Sequence, residues 1–288
     1  MYQPKAGNAD DFYSIPQYKE KIEWLQDECY DAGLMTLLSE FPNDPERALI
    51  FTLLSRVQHF QISDRVKDIA LLVKKLEELK LDPKETLIVA TAEEAESDGS
   101  KAWQYFFKFF LAQHRAWTED SLVSSIEASF KVLKKRSYKN VVIFDDFIGS
   151  GKTMVDKVNG FSKALKERMD KEPKVYIFAL AGMQFGVDCV QRKLDNVVFC
   201  PVLVKKGISD QEISDEKKAE EIALMKKMEK KLRKKYRCEK FFKMSLGYKE
   251  SQALYQVQFT NCSNNVFPIF WVSPRGKGNF RQTLFYRL

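Results

Sequence analysis

The feature that most constrains the fold of this 288-residue chain is an alternation of apolar and amphipathic segments between residues 86 and 203. Four apolar segments have the length of buried strands: Thr86–Ala90, Asn140–Phe144, Val175–Ala181 and Val197–Leu203. Between them lie segments whose apolar residues mostly recur at the spacing of amphipathic helices: Lys101–Trp117, Glu119–Lys135 and Thr153–Met169. Strands that alternate with helices favour a parallel sheet with helices on both faces. The sequence therefore predicts an α/β fold.

The first 83 residues have a different pattern, which predicts an all-helical unit. Apolar residues recur at helical spacing in Tyr18–Phe41 and again in Asp64–Leu81. Asp44-Pro45, between these segments, has the form of an N-cap followed by proline in the first helical turn. Asp82-Pro83 then ends the third helix. We therefore expect a helical unit at residues 1–83 and a parallel-sheet α/β domain at residues 84–288.

The composition argues against several classes of protein. The longest apolar run, Val175–Met183, is far shorter than the roughly 20 residues that a membrane span needs, and the N-terminus lacks the order of a signal peptide. The five cysteines are scattered without a CxxC pair, and the two histidines, His59 and His114, cannot form a multi-histidine metal site. We expect a cytoplasmic protein with no membrane span and with free thiols.

The positive charge is concentrated in a lysine-rich segment at residues 215–243, which we call the basic arm. The chain has a net charge of +7, and residues 216–243 contain twelve Lys or Arg against five Glu. Apolar residues recur at helical spacing in this segment, so we expect a helix inserted after the sheet. Such a run is typical of a solvated helix face, and also of a surface that binds RNA, DNA or a partner protein. Both interpretations remain open.

The segment from Val141 to Met154 carries the clearest chemical signal, because it has the pattern of a buried strand, two acids, a glycine-bearing turn and a helix. Ligands of open α/β sheets lie beyond the carboxyl ends of the strands. The glycines allow a tight turn with inward N–H groups, and the hydroxyls, the lysine and the helix start add further donors. The predicted phosphate-binding residues are Gly149, Ser150, Gly151, Lys152 and Thr153.

Asp145 and Asp146, directly before this turn, would repel a phosphate. Their carboxylates suit the vicinal hydroxyls of a ribose or a hydrated Mg²⁺, so a sugar phosphate would satisfy both halves of the segment. A nucleoside-triphosphate P-loop is a competing interpretation, but its first glycine would fall at position 146, which is aspartate. A solvated acidic pair at an ordinary strand–helix turn is the other alternative.

The same segment resembles the motif of type I phosphoribosyltransferases that binds phosphoribosyl pyrophosphate (PRPP). Its Ser-Gly-Lys-Thr-Met ending is most similar to the hypoxanthine-guanine branch. The resemblance implies that Asp145 and Asp146 are catalytic and bind the ribose and Mg²⁺, while the turn holds the 5′-phosphate. Gly149 stands where hypoxanthine-guanine enzymes have an aspartate for proton transfer with the purine, so the resemblance does not extend to that step.

In phosphoribosyltransferases, the loop after the first strand of the α/β domain contacts pyrophosphate through backbone N–H groups. The residues at that place in this chain are Ser97, Asp98, Gly99 and Ser100. The resemblance therefore implies a pyrophosphate loop, and an ordinary strand–helix turn is the alternative.

The C-terminal third carries a second resemblance. Leu246–Leu254 and Thr260–Trp271 are similar to an "LGY…SQAL…NTPNNTLPIFW" pattern in a phosphoribosyltransferase-like family of bacterial conflict and anti-phage systems, with Cys262-Ser263 in place of Thr-Pro. Some members of that family are retron effectors, encoded beside a reverse transcriptase and its non-coding RNA. The resemblance implies a toxin or effector restrained by partners. It also suggests that three residues hold an acceptor, although a side-chain-bonded turn and core packing account for them equally well: Asn264, Asn265 and Trp271.

Together the two resemblances imply a phosphoribosyltransferase-like effector that binds PRPP and Mg²⁺. It would transfer the phosphoribosyl group, or cleave at ribose C1, on an acceptor that is a nucleotide, tRNA or protein. Two alternatives remain: a non-catalytic module that senses PRPP or a nucleotide, and a nucleic-acid-associated subunit of a larger complex, such as a reverse transcriptase with its RNA. The aromatic run from Trp103 to Trp117 is interpreted as core and helix-packing surface.

Overall fold

In the computed structural model, which describes residues 14–93, 98–113, 116–169, 171–274 and 280–288, the chain divides into two units. The sheet unit contains Phe60–Lys205 and Val257–Phe259. The helical unit contains the residues up to His59 together with Lys206–Gln256 and Thr260–Leu288. The helical unit is therefore built from three separate stretches of the chain.

The sheet unit contains a six-stranded parallel sheet in its described residues, in the order β3-β2-β4-β5-β6 with β7 also paired to β5. The strands are β2 (Thr86–Ala90), β3 (Leu122–Val123), β4 (Asn140–Ile148), β5 (Lys174–Met183), β6 (Val197–Phe199) and β7 (Val202–Val204). Every residue of β2 is buried, as are Val141–Phe144 of β4. This architecture confirms the predicted α/β fold, because apolar strands buried on both faces are typical of parallel sheets.

The central strand β4 is longer than the sequence predicts. We expected a strand that ends at Phe144, but β4 continues to Ile148, where it still pairs with Gly182 of the ten-residue strand β5. Asp145 and Asp146 therefore lie within the last residues of the strand. Their backbone positions are held by the sheet.

Helices pack on the sheet and connect its strands. They are α4 (Ile62–Glu78), α5 (Gly99–Gln104), α6 (Phe107–Leu111), α7 (Ile126–Leu133), α8 (Lys152–Arg168) and α9 (Gln184–Lys193). Two expectations were too simple: the segment 101–117 forms two short helices instead of one, and 119–135 is helical only from Ile126 to Leu133 apart from one short turn. The expected strand at 197–203 is split into β6 and β7 around Pro201, which has no N–H for a sheet.

The helical unit includes the basic arm. Its helices are α1 (Ile15–Lys21), α2 (Asp31–Glu40), α3 (Asp44–Ser55), α10 (Asp215–Tyr236), α11 (Lys240–Lys243) and α12 (Pro268–Trp271). The side chains of Met225, Met228 and Leu232 on α10 are completely buried, and α10 packs against α3 and α12. The basic arm is therefore an integral helix of this unit.

The division of the chain differs from the expected boundary at residue 83. Helix α4 belongs to the sheet unit, because Ile69, Leu72 and Val73 on its apolar face are buried and the helix packs on β5. The described residues also contain a short two-stranded sheet, β1 (Gln58–Phe60) with β8 (Tyr255–Val257).

A buried ion pair joins distant parts of the helical unit. The guanidinium of Arg281 donates two hydrogen bonds to Glu40, at 2.9 and 3.0 Å, and both side chains are almost fully buried. Burial alone would raise the pKa of Glu40, but the charge and hydrogen bonds of Arg281, with help from Tyr236 and Lys235, hold it below the ordinary value. The pair ties α2 to the C-terminal stretch.

None of the helices in the described residues combines the length and the apolar character that crossing a membrane requires.

Candidate functional site

Three carboxylates converge at the carboxyl end of the sheet. One oxygen from each of Asp98, Asp145 and Asp146 lies within 4.8 Å of the others, and all three side chains are half-buried. We call this group the acid cluster. Strands β2 and β4 are neighbours in the sheet, with Ala90 paired to Phe144. Asp98, which follows β2 in the sequence, therefore lies beside the end of β4 with the other two carboxylates.

The acid cluster carries an electrostatic penalty. Burial raises the pKa of Asp145 well above its ordinary value, and the charges of Asp146 and Asp98 raise it further. Burial also raises the pKa of Asp146, again with a contribution from Asp98. Lys157 on α8 is the opposing charge; its ammonium donates to the carbonyl oxygen of Thr91 at 2.6 Å and lowers the pKa of Asp145. The single positive charge of Lys157 is therefore not enough to balance the three carboxylates of the cluster.

The start of α5 is fitted closely against the acid cluster. The side chain of Asp98 caps this helix by accepting a 2.7 Å hydrogen bond from the N–H of Ser100. A β-carbon on Gly99 would lie 2.1 Å from a carboxylate oxygen of Asp146, so only glycine allows the approach. The hydroxyl of Ser100 is buried and accepts from the N–H of Ala92, which gives it a structural partner. Of the expected pyrophosphate-loop residues, Ser97 lies outside the described residues.

The turn after β4 is shaped by a contact with α9 that the sequence does not reveal. Gly151 has a positive φ of 78°, which favours glycine, and it precedes the first residue of α8. A β-carbon on Gly186 would lie 1.9 Å from the carbonyl oxygen of Gly149. The first helical turn of α9 therefore packs directly against the backbone of the glycine-bearing turn after β4. This packing leaves Ser150 half-buried and Thr153 exposed at the start of α8.

The expected phosphate contact of Lys152 requires a rearrangement. Its ammonium forms an ion pair with Asp156, one helical turn further along α8, and both side chains are largely exposed. An exposed pair of this kind contributes at most about 1 kcal/mol, so a phosphate could replace the carboxylate. In the turn, Gly149, Ser150, Gly151 and Thr153 supply backbone N–H groups and hydroxyls without that competition.

The residues expected to hold an acceptor lie in the helical unit and have structural contacts. Trp271 is 3 % exposed, and its indole N–H donates to the carbonyl oxygen of Val266 at 2.9 Å. The side-chain amide of Asn265, also buried, donates to the hydroxyl of Ser251 and its oxygen accepts from Ser263. Asn264 is half-buried. These contacts favour the turn and core interpretation for Asn265 and Trp271, and an acceptor role stays a prediction.

The Leu246–Leu254 motif has a structural role of the same kind. A β-carbon on Gly247, whose φ is 82°, would lie 2.0 Å from the carbonyl oxygen of Asn265. The side-chain oxygen of Gln252 accepts from the N–H groups of Ile208 and Ser209. Several other residues of the motif adopt left-handed backbone conformations, which cost about 1–3 kcal/mol each: Leu246, Lys249, Glu250 and Gln252. The contacts of Gly247 and Gln252 therefore stabilise a loop whose backbone is strained.

The acid cluster fits a divalent cation by its chemistry. Its donors are carboxylate oxygens, the ligands that Mg²⁺ prefers, and a cation would relieve the repulsion that raises the pKa values of Asp145 and Asp146. Mg²⁺ is usually held by one or two carboxylates together with substrate phosphates, and the adjacent turn offers a place for a phosphate. No other group of three or more His, Cys, Asp or Glu side chains in the described part of the chain meets the same distance limit.

Sequence reasoning missed two residues of this site. Lys157 follows Thr153 by four positions on α8, so helical periodicity could have placed it on the face toward the strand ends. Gly186 had no signal, since it belongs to a helix that comes after the next strand. Asp98 was expected to contribute backbone N–H groups, and the structure adds its carboxylate to the cluster.

Comparisons with known proteins give one family match and no match among curated sequences. A model of the PRTase-CE family matches residues 23–287.

Among solved structures, the chain is similar to the xanthine-guanine-hypoxanthine phosphoribosyltransferase of Helicobacter pylori, at 14% identity and a TM-score of 0.29 over 51% of this chain and 84% of that one. It is also similar to a hypothetical protein from Neisseria gonorrhoeae with bound ppGpp, at 15% identity and a TM-score of 0.35 over 52% and 85%. A possible leucine/isoleucine/valine-binding protein from Rhodopirellula baltica SH 1 gives 13% identity and a TM-score of 0.33 over 76% and 61%.

Proposed function

The chain belongs to the PRTase-CE family, a phosphoribosyltransferase-like family, and we propose that it binds PRPP with Mg²⁺ at the acid cluster and transfers the phosphoribosyl group to an acceptor. The observation that carries this proposal is the convergence of Asp98, Asp145 and Asp146 beside the turn at residues 149–153. A ribose with a 5′-phosphate and a pyrophosphate needs both a carboxylate pair and an N–H-rich turn. The two lie in succession at the end of β4.

Each part of the site would have one task. Asp145 and Asp146 would accept hydrogen bonds from the ribose hydroxyls, while the turn and the hydroxyls of Ser150 and Thr153 would donate to the 5′-phosphate. Bound Mg²⁺ would supply positive charge to the pyrophosphate oxygens. The bond between C1 and the pyrophosphate oxygen would break with its electron pair on pyrophosphate, and the acceptor would bond to C1 and lose a proton.

The role in a bacterial conflict system, as a toxin or effector restrained by partners, belongs to this proposal through the family resemblance. The acceptor would then be a nucleotide, a tRNA or a protein. A reverse transcriptase and its RNA are the partners that the same resemblance implies.

Gly149 favours a second candidate function, in which the site senses PRPP or a nucleotide without turnover. The hypoxanthine-guanine enzymes have an aspartate at this position for proton transfer, and a glycine cannot take that role. A sensor would need the carboxylate pair and the turn, but no base for the acceptor.

The decisive experiment is a calorimetric titration of the protein with PRPP, with and without Mg²⁺, combined with a pyrophosphate-release assay in the presence of cell RNA and nucleotides. We expect saturable binding that needs Mg²⁺ and is lost in the Asp145→Asn/Asp146→Asn double variant. The matched control is Glu172→Gln/Asp195→Asn, which removes two exposed carboxylates of the same unit.

The outcomes separate the candidates. Pyrophosphate release that depends on Asp145 and Asp146 supports the enzyme, whereas binding without release supports the sensor. If PRPP binds the double variant and the wild-type chain equally, or binds neither, the site proposal is wrong. In cells, toxicity that persists unchanged in the double variant would contradict a catalytic role.

A further inference from the structure

The outer face of α10 presents a row of lysines. Lys227, Lys230 and Lys234 are exposed and follow one another at intervals of three and four residues, which places them on the same face of the helix. At 1.5 Å per residue, the row extends about 10 Å along the axis. We call these three residues the lysine row.

The lysine row differs from the other lysines of the same helix, because those have acidic partners. Lys226 pairs with Glu250 at 3.2 Å, Lys231 with Glu46 at 3.5 Å, and Lys235 with Glu40 at 3.1 Å. The ion pairs among the described residues include none with Lys227, Lys230 or Lys234. The charges of the paired lysines are offset by acids of the same unit, whereas the lysine row faces solvent.

Positive charge without an acidic partner continues beyond the end of α10. Arg237, Lys240 and Lys243 are exposed, and the described residues provide no ion pair for them either. The acids between residues 226 and 243 do not offset this charge. Glu229 is buried, and Glu239 is bound by Arg233 through both carboxylate oxygens at 2.8 and 3.1 Å. Glu239 is therefore the only exposed acid between residues 226 and 243, its charge is offset by Arg233, and the surface is predominantly positive.

An exposed aromatic ring lies within this positive surface. Phe242 on α11 is 64 % exposed, and the guanidinium of Arg233 lies 4.9 Å from its ring centroid. Lys240 and Lys243 flank it in sequence. Phe242 is not unusual in its exposure, since Tyr105 and Phe109 are exposed to a similar extent, but it is flanked by cations and contacts the guanidinium of Arg233. A flat ring among cations suits a base that stacks while its phosphates contact lysines.

Neither the helix dipole nor an acidic protein segment accounts for the whole of this surface. Lysines near the C-terminus of a helix interact favourably with the helix dipole, but this effect is confined to the last turn. It covers Lys234 and does not reach Lys227 and Lys230. An acidic protein segment would match the charge, but its carboxylate side chains have no flat aromatic face to stack on Phe242.

We propose that the lysine row, continued by Lys240, Phe242 and Lys243, binds single-stranded nucleic acid. The lysines contact the phosphates and Phe242 stacks on a base. Specific hydrogen bonds to base edges are not part of the site, so binding has little sequence preference. This inference does not depend on the proposed reaction at the acid cluster, because it concerns a different surface and its test needs neither PRPP nor Mg²⁺.

The test measures binding of labelled 20-nucleotide oligo-U and oligo-dT, a duplex of the same length and polyglutamate by fluorescence anisotropy over a range of salt concentrations. Each phosphate contact in a single strand contributes about −0.7 to the slope of log K against log salt. Lys227→Gln/Lys230→Gln/Lys234→Gln is therefore expected to reduce the steepness of this slope by about 2. The matched control is Lys74→Gln/Lys163→Gln/Lys166→Gln, which lowers the net charge equally from +7 to +4 with exposed lysines of the sheet unit.

Substitution of Phe242 separates stacking from charge. Phe242→Leu keeps an apolar side chain and is expected to weaken binding of the single strand about tenfold with an unchanged salt slope. Phe242 is exposed, so this variant is expected to keep the thermal stability of the wild-type chain.

Three results would overturn the inference: an equal loss of affinity in the two triple variants, no effect of Phe242→Leu, or duplex binding as tight as single-strand binding. Binding of polyglutamate with the same dependence on the lysine row and on Phe242 would instead assign the surface to an acidic protein partner and would also overturn it.

Discussion

Gly99 lies so close to Asp146 that a β-carbon at position 99 would come within 2.1 Å of a carboxylate oxygen. The start of one helix is thereby fitted to the acid cluster at the end of the neighbouring strand. The atom in the way belongs to the end of a side chain, so Asp146 can move aside while the backbone stays in place.

We therefore predict that Gly99→Ala damages the site more than the fold. The displaced carboxylate should weaken Mg²⁺-dependent PRPP binding about tenfold or more, since ligand geometry in such sites tolerates little displacement. Calorimetric titration and thermal melting would measure the two effects separately. The matched control is Gly160→Ala on α8, where an added β-carbon meets nothing within 4 Å. It should add about 0.5–1 kcal/mol of stability without affecting binding.

Asp98→Asn should stabilise the chain without ligand and weaken cation binding. The charge of Asp98 raises the pKa values of Asp145 and Asp146, and removing one of three close charges should add about 1–3 kcal/mol at pH 8. A raised pKa in the folded state lowers stability only at pH values above the pKa of the unfolded state. The gain should therefore vanish near pH 4 and below. Urea melts at both pH values, with a Mg²⁺ titration, would test this. A stability loss at pH 8 would contradict it.

Gly186→Ala should disturb phosphate binding and leave the cation site intact. The added β-carbon would lie 1.9 Å from the carbonyl oxygen of Gly149, a backbone atom that can only move with the whole turn. We expect a loss of about 1–3 kcal/mol in stability from overpacking, and a loss of affinity for ribose 5-phosphate. Mg²⁺ affinity measured without substrate should remain within twofold of the wild-type value. If ribose 5-phosphate binds as before, the turn is not the phosphate site.

Glu229→Gln should flatten the pH dependence of stability. Burial raises the pKa of Glu229 from 4.5 to about 7, against opposing hydrogen bonds from Ser245 and Leu246. The folded state therefore binds more protons than the unfolded state between these values, so this residue makes stability fall as pH rises from about 4.5 to 7. The total is on the order of 3 kcal/mol, and glutamine should remove it, because its oxygen can accept from the N–H of Leu246 and its amide can donate to the hydroxyl of Ser245.

Equilibrium unfolding in urea between pH 5 and pH 8 would measure this effect. Glu229→Ala is the control: it also lacks the titrating carboxyl, so its profile should be flattened too, but it leaves the buried N–H of Leu246 without a partner and should be about 1–3 kcal/mol less stable than Glu229→Gln throughout this pH range. An unchanged pH profile in Glu229→Gln would show that another group is responsible.

The amino-acid sequence alone determined the chemistry of the segment around the acid cluster, because that chemistry depends on local patterns. The acids, the glycine turn and the following helix are consecutive in the chain, and the alternation of strands and helices predicts the parallel sheet around them. Such features can be inferred from sequence because backbone geometry and periodicity relate residues only a few positions apart.

Contacts between residues far apart in the chain were decided only by the tertiary structure. The third carboxylate of the acid cluster depends on β2 lying beside β4, and the support of the turn by Gly186 depends on where α9 begins. The lysine row is distinguished from its neighbours only by Glu40, Glu46 and Glu250, which pair with the other lysines. Charge and composition determine that a helix is basic, but which of its charges remain available depends on the acids that the fold brings to it.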